Sequence, residues 1–131
     1  MLESLETTWA PRMLSVLRII SALIFMEHGT QKWLNFPPLN RAAPELASMS
    51  GAGGVIELVG GALLVLGLFS RPVAFILSGE MAIAYWWSHA PRNFFPVINA
   101  GDAAILYCFI FLYIAFAGGG AWSLDRLIWK K

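Results

Sequence analysis

The chain has 131 residues, 58% of them hydrophobic and only 13% charged. Soluble domains carry about 25% charged residues, and small ones bury the smallest share of their surface, so a mean hydropathy of +0.65 excludes a water-soluble fold. Nine Lys and Arg balance eight Asp and Glu with no basic block, which excludes a nucleic-acid partner and leaves an integral membrane protein whose surroundings are the lipid bilayer.

The first apolar stretch covers residues 13–33. The ten residues before it carry Glu3 and Glu6, not the basic cluster of a secretory signal, so a permanent helix is expected. Pro37 and Pro38 close it, since proline cannot donate a helical hydrogen bond. One long loop, 36–51, leads to a second span at 52–69. Ser70-Arg71-Pro72 reads as a tight turn into a third span at 72–89. Pro91 and Pro96 bracket the next loop, and a fourth span covers 99–117. Each span has close to the ~20 residues that cross ~30 Å of hydrocarbon, and lipid satisfies no open backbone groups, so helices are required. Gly118-Gly119-Gly120 ends the fourth span, and residues 123–129 read as a short interfacial helix anchored by Trp122 and Trp129.

The expected fold is therefore an all-α membrane protein. It is a single domain, 1–131, built as a four-transmembrane-helix bundle with a short C-terminal interfacial helix. Arg12, Arg71, Arg126, Lys130 and Lys131 gather on the side of the termini, against Lys32, Arg41 and Arg92 opposite. That bias places both termini in the cytoplasm.

Each span carries one carboxylate: Glu27, Glu57, Glu80 and Asp102. The first adds Arg18, His28 and Lys32. Ionisable groups inside a membrane are costly and face the bundle interior or a wet cavity. Four close carboxylates cannot all stay ionised in a low-dielectric site, so some hold protons or a cation sits among them. The spacing predicts that Glu27, His28, Glu57 and Asp102 line one outward-facing pocket and carry its proton chemistry, with Trp86 or Trp87 near the mouth. Gln31 and Lys32 fall one helical turn from Glu27 and His28. Arg18 is expected to pair with Glu80, the nearest carboxylate in depth, at ~8 Å along the membrane normal. The same polar groups also serve as interhelical glue, and Trp86, Trp87 and His89 also suit an interface belt.

No metal is expected, because the Glu-x-x-His pairs of di-iron bundles do not occur. A lone cysteine, Cys108, excludes an intrachain disulfide or a CxxC relay and reads as a packed hydrophobe. Gly53, Glu57 and Gly61 share one face of the second span, so its glycines let a neighbouring helix approach closely.

Several of these residues resemble the DoxX family of small four-helix membrane proteins. They are Arg18, His28-Gly29-Thr30-Gln31-Lys32, Glu57-Leu58-Val59-Gly60-Gly61 and Gly67-Leu68-Phe69-Ser70-Arg71. His89, Gly101-Asp102 and the stretch Gly118 to Asp125 continue the likeness, which covers 14–129. It implies a multi-pass location in the cytoplasmic (inner) membrane of a bacterium or archaeon, and association with thiosulfate:quinone oxidoreductase subunits or thiol-stress complexes. Glu80 lies outside the matched motifs, and Asp102 stands where a longer Glu is common.

The resulting reading is a redox-associated subunit that binds a quinone or similar aromatic. Arg18, Gln31, Lys32, Glu80, Trp86, Trp87 and His89 would contact this ligand. Electrons would come from a partner protein, since the chain has no cofactor motif. Two alternatives stand beside it. One is a non-catalytic scaffold or assembly factor. The other is a small proton-coupled transporter, for which four helices would need a homo-oligomer. Whether the chain is itself an enzyme is left open by its residues.

Overall fold

A computed structural model describes residues 1–38 and 48–130. Arg41, most of the expected 36–51 loop and Lys131 lie outside the described residues. The described chain is helical, with no strand among the described residues.

Helix α1 runs from Leu2 to Leu34, far longer than the apolar stretch within it. Its first residues, rich in Leu and Glu, are good helix formers. Pro11 cannot donate to the turn before it, and the helix widens into a π turn over Leu5–Trp9 there. It stops at Asn35, which takes a left-handed φ of 52° before Pro37 is reached.

Helix α2, Met49–Leu66, is capped by Ser48, whose side chain accepts from Gly51 N. Its end is Gly67 at φ 72°, a conformation that costs glycine nothing. Helix α3, Ser70–Ala84, continues as a π turn over Tyr85–His89. Helix α4, Pro96–Asn99, is one turn. Helix α5, Asp102–Ala117, is separated from it by Ala100 at φ 61°, so the apolar run expected at 99–117 begins as a bend. The short helix expected near the C-terminus is α6, Leu124–Trp129.

The helices pack chiefly as two pairs, α1 with α2 and α3 with α5, joined by α2 on α3 and α1 on α5. Glycines set the α1–α2 and α2–α3 spacings. A Cβ on Gly29 would fall 2.8 Å from Gly54 O and from Leu58 Cγ, and one on Gly60 would fall 2.8 Å from Leu77 Cδ2. Phe25, Tyr107 and Phe111 meet between α1 and α5, with Phe25 edge-on to Phe111 at 5.0 Å. Leu64, Leu77, Ala74 and Ile114 complete the core.

Burial runs opposite to that of a soluble protein. Arg18, Ser15 and Ser70 are fully buried, whereas Phe116, Phe109 and Phe75 stand 75%, 64% and 63% exposed. Several polar groups are thus inside and several aromatic side chains outside, as hydrocarbon favours. Two helices, α1 and α2, are long and apolar enough to cross a membrane, and α5 is a shorter apolar helix.

Candidate functional site

Three charged side chains from three helices converge where α1, α2 and α3 meet. Lys32 Nζ lies 3.0 Å from Glu57 Oε1, the single ion pair among the described residues. The Glu57 side chain is 5% exposed and that of Lys32 26%. Glu80 of α3 brings a second carboxyl alongside, both carboxyls facing the backbone of Gly53. Gly53, one turn before Glu57, leaves the space for this meeting. A Cβ there would stand 3.1 Å from Glu80 Oε1, 3.8 Å from Lys32 Nζ and 3.9 Å from Glu57 Oε1. The second carboxyl oxygens, Glu57 Oε2 and Glu80 Oε2, are buried without a hydrogen-bond partner among the described residues. Trp33 packs beside the cluster, its Nε1 donating to Gly51 O at 3.1 Å over the surface of Gly54.

The other expected site residues do not join this cluster. Glu27 and His28 are exposed. Glu27 lies two residues, or about 200°, before the Gly29 that seats α1 on α2, so it points away from α2. His28 stands edge-on to Tyr107 of α5 at 6.4 Å, and Glu27 is within electrostatic reach of the same tyrosine. Gln31 is half-buried, and Asp102 is exposed without a hydrogen bond or ion pair among the described residues. The four residues expected around one pocket are thus distributed, Glu57 inward and the rest on outer faces.

His89 acts on the loop. Its Nδ1 is 3.0 Å from Asn99 O, and its ring stacks on Tyr85. Buried Asn99 donates to Tyr85 OH and Asn93 O and accepts from Gly101 N. Trp86 and Trp87 are exposed over a shallow cleft of about 300 Å³ whose other walls are Ala82 and Ile83, with no ionisable lining group.

Arg18 does not pair with Glu80. Its guanidinium donates to Leu64 O at 2.7 Å, to Trp122 O at 2.9 Å and to Gly119 O, and it reaches Val65 O at 3.5 Å. The physical reason is supply and demand. The carbonyls of Leu64 and Val65 lack the i+4 donor that carbonyls inside the helix have, and a buried guanidinium offers five N–H groups that must all be placed.

Ser15 reinforces the contact, donating to Gly119 O and accepting from Trp122 N. Asp125 accepts from Phe69 N at 2.7 Å and Ser70 N at 2.8 Å, capping the start of α3 from α6. Arg71 donates to Phe116 O. Ser15, Ser70, Arg71 and Asp125 were not singled out by sequence reasoning as site residues. Three of them lie within the recurring Gly67–Arg71 and Gly118–Asp125 patterns, and these two patterns meet here. Ser15, a hydroxyl in an apolar run, lies outside those patterns.

Cys108 is a half-buried free thiol, 3.5 Å from Ser78 Oγ. Among the described residues, no three His, Cys, Asp or Glu side chains form a group able to hold a metal.

Comparison with known proteins gives a match to the DoxX family over residues 13–90. A protein of Haemophilus influenzae, named only as uncharacterized, is 44% identical over 94% of this chain and 96% of its own length. An uncharacterized membrane protein of Mycobacterium tuberculosis is 25% identical over 88% of this chain and 80% of its own. No solved structure matches.

Proposed function

Because the chain belongs to the DoxX family, we propose that it is a multi-pass subunit of the bacterial cytoplasmic membrane, a four-helix bundle with both termini cytoplasmic. Lys32, Glu57 and Glu80 form its intramembrane proton site. That site serves the reduction of a quinone or similar aromatic ligand by electrons from a partner protein.

The observation that carries this reading is the convergence of two carboxyls on one ammonium. Two carboxylates and one ammonium leave one negative charge in excess, which a single proton on the carboxyls cancels. With that proton, the trio of Lys32, Glu57 and Glu80 is electrically neutral, the one state a membrane interior accommodates cheaply. Quinone reduction takes up a proton with each electron, so a neutral trio with an exchangeable proton suits it. Each carboxyl also keeps one oxygen without a partner among the described residues, which leaves a hydrogen-bond position open to a ligand or to a proton path. Glu27 and His28, beside Tyr107, and Asp102 at the head of α5 supply polar positions by which protons reach the trio.

The test is a pair of amide variants, Glu80→Gln and Glu57→Gln, in native membranes. Both keep the side-chain shape and remove the ionisable proton. The expected result is normal insertion with quinone-linked turnover lost or its pH profile displaced. An infrared carboxylic-acid band present in the wild type should vanish in Glu80→Gln. Wild-type turnover, an unchanged profile and an unchanged band would overturn the reading and favour a scaffold.

A further inference from the structure

At the other end of the helices lies a cavity of about 690 Å³, within the ~300–1,000 Å³ range of small-ligand sites. Five separate segments build it: the start of α1, the α2–α3 turn, the end of α5, the glycine run and α6. Its lining is amphipathic. Tyr113, Leu14 and Ala117 form an apolar side that continues onto the exposed aromatic face of α5, while Arg71, Arg126 and Glu6 bring charge of both signs.

Two features of the lining point to an occupant. Arg126 and Glu6 form no ion pair among the described residues, so a guanidinium and a carboxylate both face the cavity without a salt-bridge partner, while the Asp125 carboxylate is turned onto two backbone N–H groups of the α3 start. Arg71 is held in place by its bond to Phe116 O and by its close approach to Gly118, where a Cβ would come within 3.2 Å of Nη2.

We propose that this cavity binds the headgroup of a zwitterionic phospholipid bearing a primary ammonium. The phosphate lies between Arg71 and Arg126, a geometry guanidinium groups favour. The ammonium meets Glu6. The acyl chains leave along Tyr113 into the bilayer. Trp122 and Trp129, both exposed at this end, place it at the interface where headgroups lie. The site is independent of the Lys32–Glu57–Glu80 trio and holds whether or not that trio handles protons.

The test is native mass spectrometry of the full chain in mild detergent, with equimolar phosphatidylethanolamine, phosphatidylglycerol and phosphatidylcholine. Arg126 and Glu6 are exposed, so Arg126→Gln and Glu6→Gln should fold as the wild type does, checked by circular dichroism. The ethanolamine lipid should be retained preferentially. Arg126→Gln should weaken its retention about two- to fivefold, the scale of one solvent-facing charged contact. Glu6→Gln should abolish the preference over phosphatidylglycerol while keeping that lipid bound. Equal retention of the three lipids, unaltered by either substitution, would overturn the proposal. Displacement of the lipid by an equal concentration of glycerophosphoethanolamine would overturn the lipid as the source and assign a soluble phosphate ester instead.

Discussion

Replacing Arg18 with Leu tests what holds the ends of α2 and α5 together. The guanidinium donates to Leu64 O, Gly119 O and Trp122 O, with Val65 O at the limit of range. These carbonyls do not lose equally. Leu64 O keeps the Gly67 N–H at 3.1 Å, and Gly119 O keeps the Ser15 hydroxyl at 3.0 Å. Trp122 O accepts no other hydrogen bond among the described residues. One carbonyl is orphaned, at ~1–3 kcal/mol, and two charge-assisted bonds are lost where a partner remains, so the total is about 3–5 kcal/mol after discounting for non-additivity. Arg18→Lys keeps the charge but has no fork to span carbonyls on separate segments, and should lose roughly half as much. The assay is denaturant unfolding in detergent, with trypsin cleavage after Arg126 or Lys130 reporting release of the C-terminal segment. A Glu80→Leu substitution added to Arg18→Leu should bring no recovery, because the two groups are not partners. Recovery in that double variant, or an Arg18→Leu protein of wild-type stability, would refute the reasoning.

Asp125→Ala should destabilise by about 1–2 kcal/mol, the worth of a lost helix cap, since it removes the acceptor of both Phe69 N and Ser70 N; thermal unfolding in detergent reads it. Gly29→Leu should push α1 off α2, because even a Cβ would fall 2.8 Å from Gly54 O; a loss of about 1–3 kcal/mol and a change in Trp33 fluorescence are expected. Lys32→Met leaves the buried Glu57 without its cation and should cost ~3–5 kcal/mol, whereas the double variant with Glu57→Leu should recover much of it; additive losses in that cycle would deny the pair.

The membrane character and the DoxX resemblance were legible in the sequence, because lipid imposes strict composition and because motif residues keep their order along the chain. Helix ends were less so. The apolar run at 13–33 gave no sign that α1 begins at Leu2, since its first turns are ordinary polar helix formers. Depth along the chain placed Arg18 nearest to Glu80, but depth carries no rotation about the helix and no account of backbone acceptors. A guanidinium can be satisfied by carbonyls as well as by a carboxylate, and the sequence does not print carbonyls. The same blindness grouped Glu27 with Glu57: both fall at similar depth, yet they point to opposite sides of their helices. Gly53 was legible as a small residue, but as a packing contact, whereas it also opens the space in which Lys32, Glu57 and Glu80 meet.

The two polar ends differ in what their hydrogen-bonding groups have left to offer. Arg18 and Lys32 are fourteen residues apart on one helix, about 21 Å along its axis, so the clusters they head do not touch. Around Arg18, guanidinium donors meet carbonyl acceptors, Ser15 both donates and accepts, and Asp125 takes two backbone donors. None of these exchanges needs a proton to move, and losing any one loosens the helix ends. Around Lys32, the Glu57 carboxyl pairs with the ammonium and the Glu80 carboxyl stands close by, and each keeps a buried oxygen without a partner among the described residues. An arrangement meant only to glue helices would close those positions, because an unpartnered polar atom in a dry interior is a standing cost. The Arg18 end therefore accounts for the coherence of the fold, and under the proposed function the incompletely satisfied carboxyls of the Lys32 end are where a proton is exchanged.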